Sequence, residues 1–328
     1  MNTMLLLMLM MSASMQSKNT QLKLVEVRKI WDAAPHNAFT DLIRFRDEWF
    51  CCFREGKGHA GDPGRIRVLV SRDAKHWESI ALFERENEDY RDPKLSVTPE
   101  GQLMLLAASA VPGTRNPLRD HYTFVCFSRD GRTWTPPRKV VSSWEWLWRV
   151  TWQGSDGYGV AYRWDREEKR QEYTAVVYRT KDGLDYQKVA EFTPPNCNEA
   201  TLRFDGTTLY CLQRRDGQPN TALLGVAQPP YKEWAWKDLG SHLGGPNFIR
   251  LPNGRWLAAG RMFQNSQPRT VICELDVHQG RLHPLLTLPS GGDTSYPGLV
   301  WHDGKLYVSY YSSHEGKAAV YLAVVTFA

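Results

Sequence analysis

Apolar and polar residues alternate along most of this chain, and the alternating runs come in pairs. Six segments share one pattern, an apolar run, a tight Gly or Asp turn and a second apolar run. They are FTDLIRFRDEWFCCFRE from Phe39, RDPKLSVTPEGQLMLLAAS from Arg91, WRVTWQGSDGYGVAYRW from Trp148, NEATLRFDGTTLYCLQRR from Asn198, GPNFIRLPNGRWLAAGR from Gly245 and SYPGLVWHDGKLYVSYYS from Ser295. Alternation with period two is the mark of a half-buried strand, and no stretch sustains the i, i+3, i+4, i+7 spacing of an amphipathic helix. The chain therefore predicts hairpins and little helix. The turn glycines Gly101, Gly157, Gly206, Gly254 and Gly304 lie 56, 49, 48 and 50 residues apart. Each hairpin is followed by another alternating stretch, such as RIRVLVSRD or YTFVCFSRD, and often by a fourth.

Repeats of about 50 residues with four strands each predict a β-propeller. The last repeat is about one strand short at Ala328, and the N-terminal run LKLVEVRKIW has no hairpin partner. The two fit together if the N-terminal strand completes the last blade and closes the ring, which also removes free sheet edges. The expectation is one all-β domain over residues 22–328, a six-bladed propeller, with five blades as the alternative.

Composition narrows the classes. The 328 residues are 42% hydrophobic and 12% aromatic, too rich for a disordered chain. Forty-one Lys and Arg against 36 Asp and Glu give +5 with no basic block, so nucleic acid is not indicated while a small anionic substrate is compatible. An apolar run from Met4 to Met11, followed by Ser12, Ala13 and Ser14, reads as an export signal over residues 1–14, although no Lys or Arg lies near Met1. Eight apolar residues are too few to span a bilayer. A secreted or periplasmic monomer without a membrane span is expected. Six cysteines lack CxxC spacing and sit in strand-like runs, which predicts buried free thiols. The nine histidines form no HxxxH or HxH pair, and neither a metal nor a cofactor is expected.

Three further segments punctuate the repeats: Ser71–Trp77 (SRDAKHW), Ser128–Trp134 (SRDGRTW) and, more degenerate, Thr180–Tyr186 (TKDGLDY). Ser and Asp side chains at such spacing bond local backbone N–H groups, Gly takes positive φ, and the aromatic packs beneath. These are structural turns. With the blade repeats they make the chain resemble the sialidase (neuraminidase) superfamily of Asp-box, or BNR-repeat, propellers over nearly its whole mature length.

Propeller geometry turns the repeat into a map. Strand starts near the axis give Asp41, Arg91-Asp92, Arg149, Glu199, Asn247 and Tyr296, and second-strand ends give Arg54, Arg163, Arg214-Arg215, Arg261 and Tyr311. Arginines, carboxylates and tyrosine thus gather at one end, where guanidinium forks suit a carboxylate-bearing sugar. The resemblance implies roles. Asn198-Glu199 followed fifteen residues later by Arg214, Arg269 opening a third strand, and Tyr296 opening the last blade match the sialidase pattern. It implies that Tyr296 attacks the anomeric carbon with help from Glu199, and that Arg54, Arg214 and Arg269 contact the substrate, aided by Arg91, Arg149 or Arg261. It further implies that Asp62 is the acid, with His59 as fallback, and that Glu315 orients the first arginine. The physical case for tyrosine is charge, since a neutral phenol can approach a sugar carrying a carboxylate at its anomeric carbon.

The pattern is broken at one place. Sialidases open the first blade with R-I-P, and this chain has Phe39-Thr40-Asp41 there. Asp41, Asp92 and Glu199 also resemble the carboxylate trio of furanosidase-type propeller glycosidases, a competing mechanism. A uronate lyase and a non-catalytic glycan-binding propeller are the remaining alternatives. The aromatic run Trp144, Trp146, Trp148 would serve enzyme or lectin if exposed, and blade packing if buried. The expectation is a sialidase-like exo-glycosidase releasing a terminal acidic sugar.

Overall fold

In the computed structural model, residues 21–110, 121–165 and 172–328 are described, and the expected export signal lies outside them. The described residues form six four-stranded antiparallel sheets and no helix. Five blades run in chain order from the axis outward; the first comprises His36–Phe45, Glu48–Gly56, Arg65–Ser71 and Glu78–Phe83. The sixth has Thr294–His302 innermost, then Lys305–Ser312 and Ala319–Phe327, and its outermost strand is the N-terminal Leu22–Trp31. That strand pairs antiparallel with the last one, Leu22 opposite Phe327 and Trp31 opposite Val320. The ring is six-bladed, closed as the repeat arithmetic predicts, and the five-bladed alternative is excluded.

Apolar clusters fill every seam between neighbouring blades. At the closure seam Leu42, Trp49, Phe53 and Leu69 of the first blade pack on Val320 and Leu322 of the sixth. The three predicted turns carry the expected bonds. Lys75 and His76 amides donate to Asp73 Oδ1, Arg132 and Thr133 amides to Asp130 Oδ1, and Leu184 and Asp185 amides to Asp182 Oδ1. Positive φ falls on Gly131 and Gly183, but on Ala74 in the first blade. Two related turns have no such motif. Trp234 Nε1 donates to the Tyr231 carbonyl, and Asp276 Oδ1 accepts from His278 and Gln279. All six cysteines are free and buried.

One irregularity recurs in every blade and positions the site. Each innermost strand carries a bulge near its start, where three residue steps face two on the second strand. The flanking pairs are Ala38 and Asp41, Arg91 and Lys94, Leu147 and Val150, Cys197 and Ala200, Gly244 and Asn247, and Ser295 and Gly298. A bulge adds an unpaired residue, bends the strand and re-aims a side chain. The bulged residues are Phe39-Thr40, Asp92-Pro93, Trp148-Arg149, Asn198-Glu199, Gly245-Pro246 and Tyr296-Pro297. Proline, which donates no backbone hydrogen bond, is tolerated there.

Candidate active site

Tyr296 and Glu199, on bulges in the sixth and fourth blades, meet at the axis. The Tyr296 hydroxyl donates to Glu199 Oε1 at 2.6 Å. Arg214 Nη1 lies 2.9 Å from the same oxygen and 3.1 Å from the hydroxyl. Glu199 Oε2 accepts from the Gly245 amide at 2.8 Å. Gly245 has φ +60, and a Cβ there would fall 2.7 Å from the Tyr296 ring, so the close approach of this amide requires glycine. Arg214 is itself held by Asp216, which also accepts from Asn198.

The electrostatics assign proton positions. Burial would raise the Glu199 pKa, but the Arg214 charge, the Tyr296 hydroxyl and the Gly245 amide outweigh it, and the carboxyl is held below its ordinary range. Burial pushes the Tyr296 phenol up and the Glu199 charge adds to this, while Arg214 and Arg261 pull in the other direction. The resting pair is therefore a neutral phenol donating to an ionised carboxylate.

Around this pair lies an aromatic wall. Phe39, Trp146, Trp148, Tyr296 and Tyr311 form one buried cluster. Trp146 and Trp148 thus belong to packing, whereas Trp144 is exposed. Phe39, where the resemblance implies an arginine, stands edge-on to Tyr296 at 5.2 Å. Arg91 lies over the Phe39 ring at 4.8 Å and is paired with Asp89 and Asp92. Arg261 lies 5.7 Å from the Tyr296 ring centre and reaches the Thr294 carbonyl at 3.5 Å. Arg269 donates to the Ser290 carbonyl at 2.5 Å. Neither Arg261 nor Arg269 has a carboxylate partner among the described residues.

The fold has solved counterparts. A protein of unknown function from Dyadobacter fermentans superposes with a TM-score of 0.81 at 17% identity, covering 94% of this chain and 100% of that one. Trypanosoma rangeli sialidase gives 0.68 at 11% identity over 89% of this chain and 55% of its own, so the present chain spans about half of that enzyme. An α-L-arabinofuranosidase from Fusarium graminearum, in complex with an iminosugar inhibitor, gives 0.67 at 14% identity, with 88% and 93% covered. No protein-family model and no curated protein sequence matches the chain. At these identities what is shared is a sialidase-like propeller fold.

The remaining sequence candidates lie elsewhere. Arg54 is fully buried and pairs with Asp89 at 2.5 Å, its other nitrogens reaching the Gly58 and Asp62 carbonyls. The Asp62 carboxylate accepts from the Lys57 and Gly58 amides of its own loop. Glu315 bonds Tyr321 and Lys29 rather than an arginine near Tyr296. Asp41 and Arg149 pair with each other at 2.8 Å, buried near the axis, and Asp41 also accepts from the Leu95 amide. Lys94, buried, and Arg203, half-buried, lie near them, and desolvation first, then the charge of Arg149, lowers the pKa of both, that of Arg203 to about 9. Asp41 is thus matched by Arg149, while Asp92 and Glu199 both lie near enough to Tyr296 for their charges to raise its pKa. Sequence reasoning passed over Asp293, whose carboxylate accepts from His36, His59 and Tyr311 at 2.8, 2.7 and 2.7 Å. The only signal for it was its place three residues before Tyr296, where the last blade enters the basin.

Proposed function

We propose that the basin is the active site of an exo-acting glycoside hydrolase for an acidic sugar, with Tyr296 as nucleophile and Glu199 as its base. The observation that carries this reading is the contact of the Tyr296 hydroxyl with an ionised Glu199 at 2.6 Å, with Arg214 touching both oxygens. A phenol is a poor nucleophile at neutral pH until a base takes its proton. Glu199 is within reach and in the right state to do so. Arg214 holds Glu199 ionised at rest and stabilises the phenolate as the proton passes to that carboxylate.

Tyrosine in place of a carboxylate nucleophile suits a substrate with negative charge near the anomeric carbon. Arg261, beside the Tyr296 ring and lacking a carboxylate partner among the described residues, is the group left to receive it. Phe39 in place of a guanidinium makes one side of this basin apolar, so the acidic sugar is held by fewer forks and more ring contact than in the pattern the chain resembles.

The test is turnover of fluorogenic α-sialosides, uronides and neutral glycosides by wild type, Tyr296→Phe and Glu199→Gln. Release of an acidic sugar, falling by about 10²–10⁴-fold in each variant, is expected. Activity confined to neutral glycosides would overturn the acidic-sugar assignment. Activity indifferent to Tyr296→Phe would overturn the nucleophile.

A further inference from the structure

The loop after the second strand of the first blade is built around one side chain and displays another. Asp62 Oδ2 and Oδ1 accept from the Lys57 and Gly58 amides at 2.6 and 3.1 Å, closing the loop on itself. Beneath it the buried Arg54 guanidinium grips the Gly58 and Asp62 carbonyls. A carboxylate bound to two amides of its own loop is a staple. His59, at the tip, has a half-exposed side chain and turns Nδ1 to Asp293 Oδ2 at 2.7 Å.

Asp293 fixes the proton arrangement. Burial would raise its pKa, but the bonds from His36, His59 and Tyr311 outweigh this and hold it well below the carboxylate range. An ionised carboxylate only accepts, so the imidazole nitrogens facing it, His59 Nδ1 and His36 Nε2, carry hydrogens. His59 Nε2 is then the nitrogen left to exchange a proton, and its ring orientation is set from behind by a carboxylate, as in hydrolytic triads. The His59 ring stands edge-on to Phe39 at 5.0 Å, and Phe39 stands edge-on to Tyr296. One ring separates His59 from the nucleophile.

We infer that His59, oriented by Asp293, is the general acid and base of this site in the place the resemblance gives to an aspartate. The inference rests on the glycosidase reading above. In the first step the imidazolium gives its Nε2 proton to the glycosidic oxygen as the bond from that oxygen to the anomeric carbon breaks. Tyr296 Oη bonds to that carbon and passes its own proton to Glu199. In the second step neutral His59 Nε2 takes a proton from water as the water oxygen displaces Tyr296, which recovers its proton from Glu199. All three residues end as they began.

The same three side chains, His36, His59 and Asp293, have donor atoms within 4.8 Å of one another, near enough to share a divalent metal ion. The hydrogen-bond pattern favours protons. A metal on His36 Nε2 would force a hydrogen onto Nδ1, a buried atom with no partner, whereas donation to Asp293 leaves Nδ1 a bare lone pair.

The groups facing His59 are Asp293, His36 edge-on at 5.8 Å, Arg91 across Phe39, and Lys57 and Asp62 on its own loop. The experiment compares wild type, His59→Gln, Asp293→Asn and Asp62→Asn on two glycosides of the sugar that wild type releases. One has an alkyl leaving group and the other a dinitrophenyl group that needs no proton. For His59→Gln, kcat/KM on the alkyl glycoside should fall by about 10²–10⁴-fold while the dinitrophenyl glycoside is largely spared, and the alkaline limb of the pH profile should vanish. In Asp293→Asn kcat/KM should fall more on the alkyl than on the dinitrophenyl glycoside, because the imidazole has lost the carboxylate that orients it. Asp62→Asn should keep the limb. Equal loss on both substrates in His59→Gln, or loss of the limb in Asp62→Asn, would overturn the assignment while leaving the glycosidase reading intact. Silence of wild type on every glycoside would overturn both. Nitrogen-15 NMR supplies a readout independent of turnover. Neutral His59 should be the Nδ1–H tautomer, and either the Nε2–H tautomer or stoichiometric zinc binding that shifts both His36 and His59 would defeat the assignment.

Discussion

Residue by residue, the arginines of this ring differ in what their guanidinium still reaches once its charge is matched. Arg54, Arg149 and Arg214 all looked alike as arginines at or near the inner ends of strands. Arg54 is buried on Asp89 and two loop carbonyls, and Arg149 is buried on Asp41. Arg214, though paired with Glu199 and Asp216, keeps one nitrogen on the Tyr296 hydroxyl. The Asp41–Arg149 pair gives a clean prediction. Arg149→Met leaves Asp41 buried with only the Leu95 amide, and removing one partner of a buried pair costs about 3–5 kcal/mol. Lys94 and Arg203 nearby should soften this toward the lower figure. Urea unfolding of Arg149→Met, Asp41→Asn and the double variant should show the double variant losing clearly less than the two single losses combined. Additive losses would mean that the pair is not coupled. Charge state of this kind depends on partners far apart in the chain, which is why sequence ranked these arginines together.

At the level of the element, the bulge decides which side chain faces the basin. Glu199, Tyr296 and Asp92 were legible from alignment of the hairpins, because each lies where the inner strand begins. Asp41 was aligned with them and lies one residue beyond the bulge, among the buried charges near the axis, while Phe39 takes the basin position. A one-residue insertion inverts the in–out parity of everything after it, and period-two patterning cannot show which residue is the extra one. Asp62 accepts from the Lys57 and Gly58 amides of its own loop, a fold-back that sequence spacing does not show. Gly298, closing the sixth bulge, tests how tightly the bulges are seated. A Cβ there would lie 2.2 Å from the Leu42 backbone nitrogen and 2.6 Å from Ser309 Oγ, at the seam between the sixth and first blades. Backbone cannot yield as a side-chain end can, so Gly298→Ala should destabilise by about 1–3 kcal/mol. A denaturation midpoint within error of wild type would show that the seam is looser than its geometry.

For the whole molecule, closure is what makes six weakly separable hairpins one rigid frame around the axis. The repeat spacing, the missing last strand and the orphan N-terminal run were enough to foresee it, because blade architecture is written in local alternation. The candidate site was less legible, because it is assembled from the first, fourth, fifth and sixth blades across the ring. Glu199 and Tyr296 stand 97 residues apart, and His59 and Asp293 stand 234 apart. Closure and the proposed catalysis are therefore linked. The N-terminal strand covers the outer edge of Ala319–Phe327, and Ala318 just before that strand accepts the Asn37 amide at the start of the first blade. Removing residues 1–31 should expose an apolar strand edge, lower the unfolding temperature and promote association through that edge. Because Asp293 and Tyr296 ride on the opened blade while His59 and Phe39 ride on its neighbour, turnover should fall further than the folded fraction. Size-exclusion chromatography and calorimetry, with activity measured on the monomeric fraction, separate these effects. A truncated monomer with full activity per folded molecule would show that the other seams alone hold the basin in register.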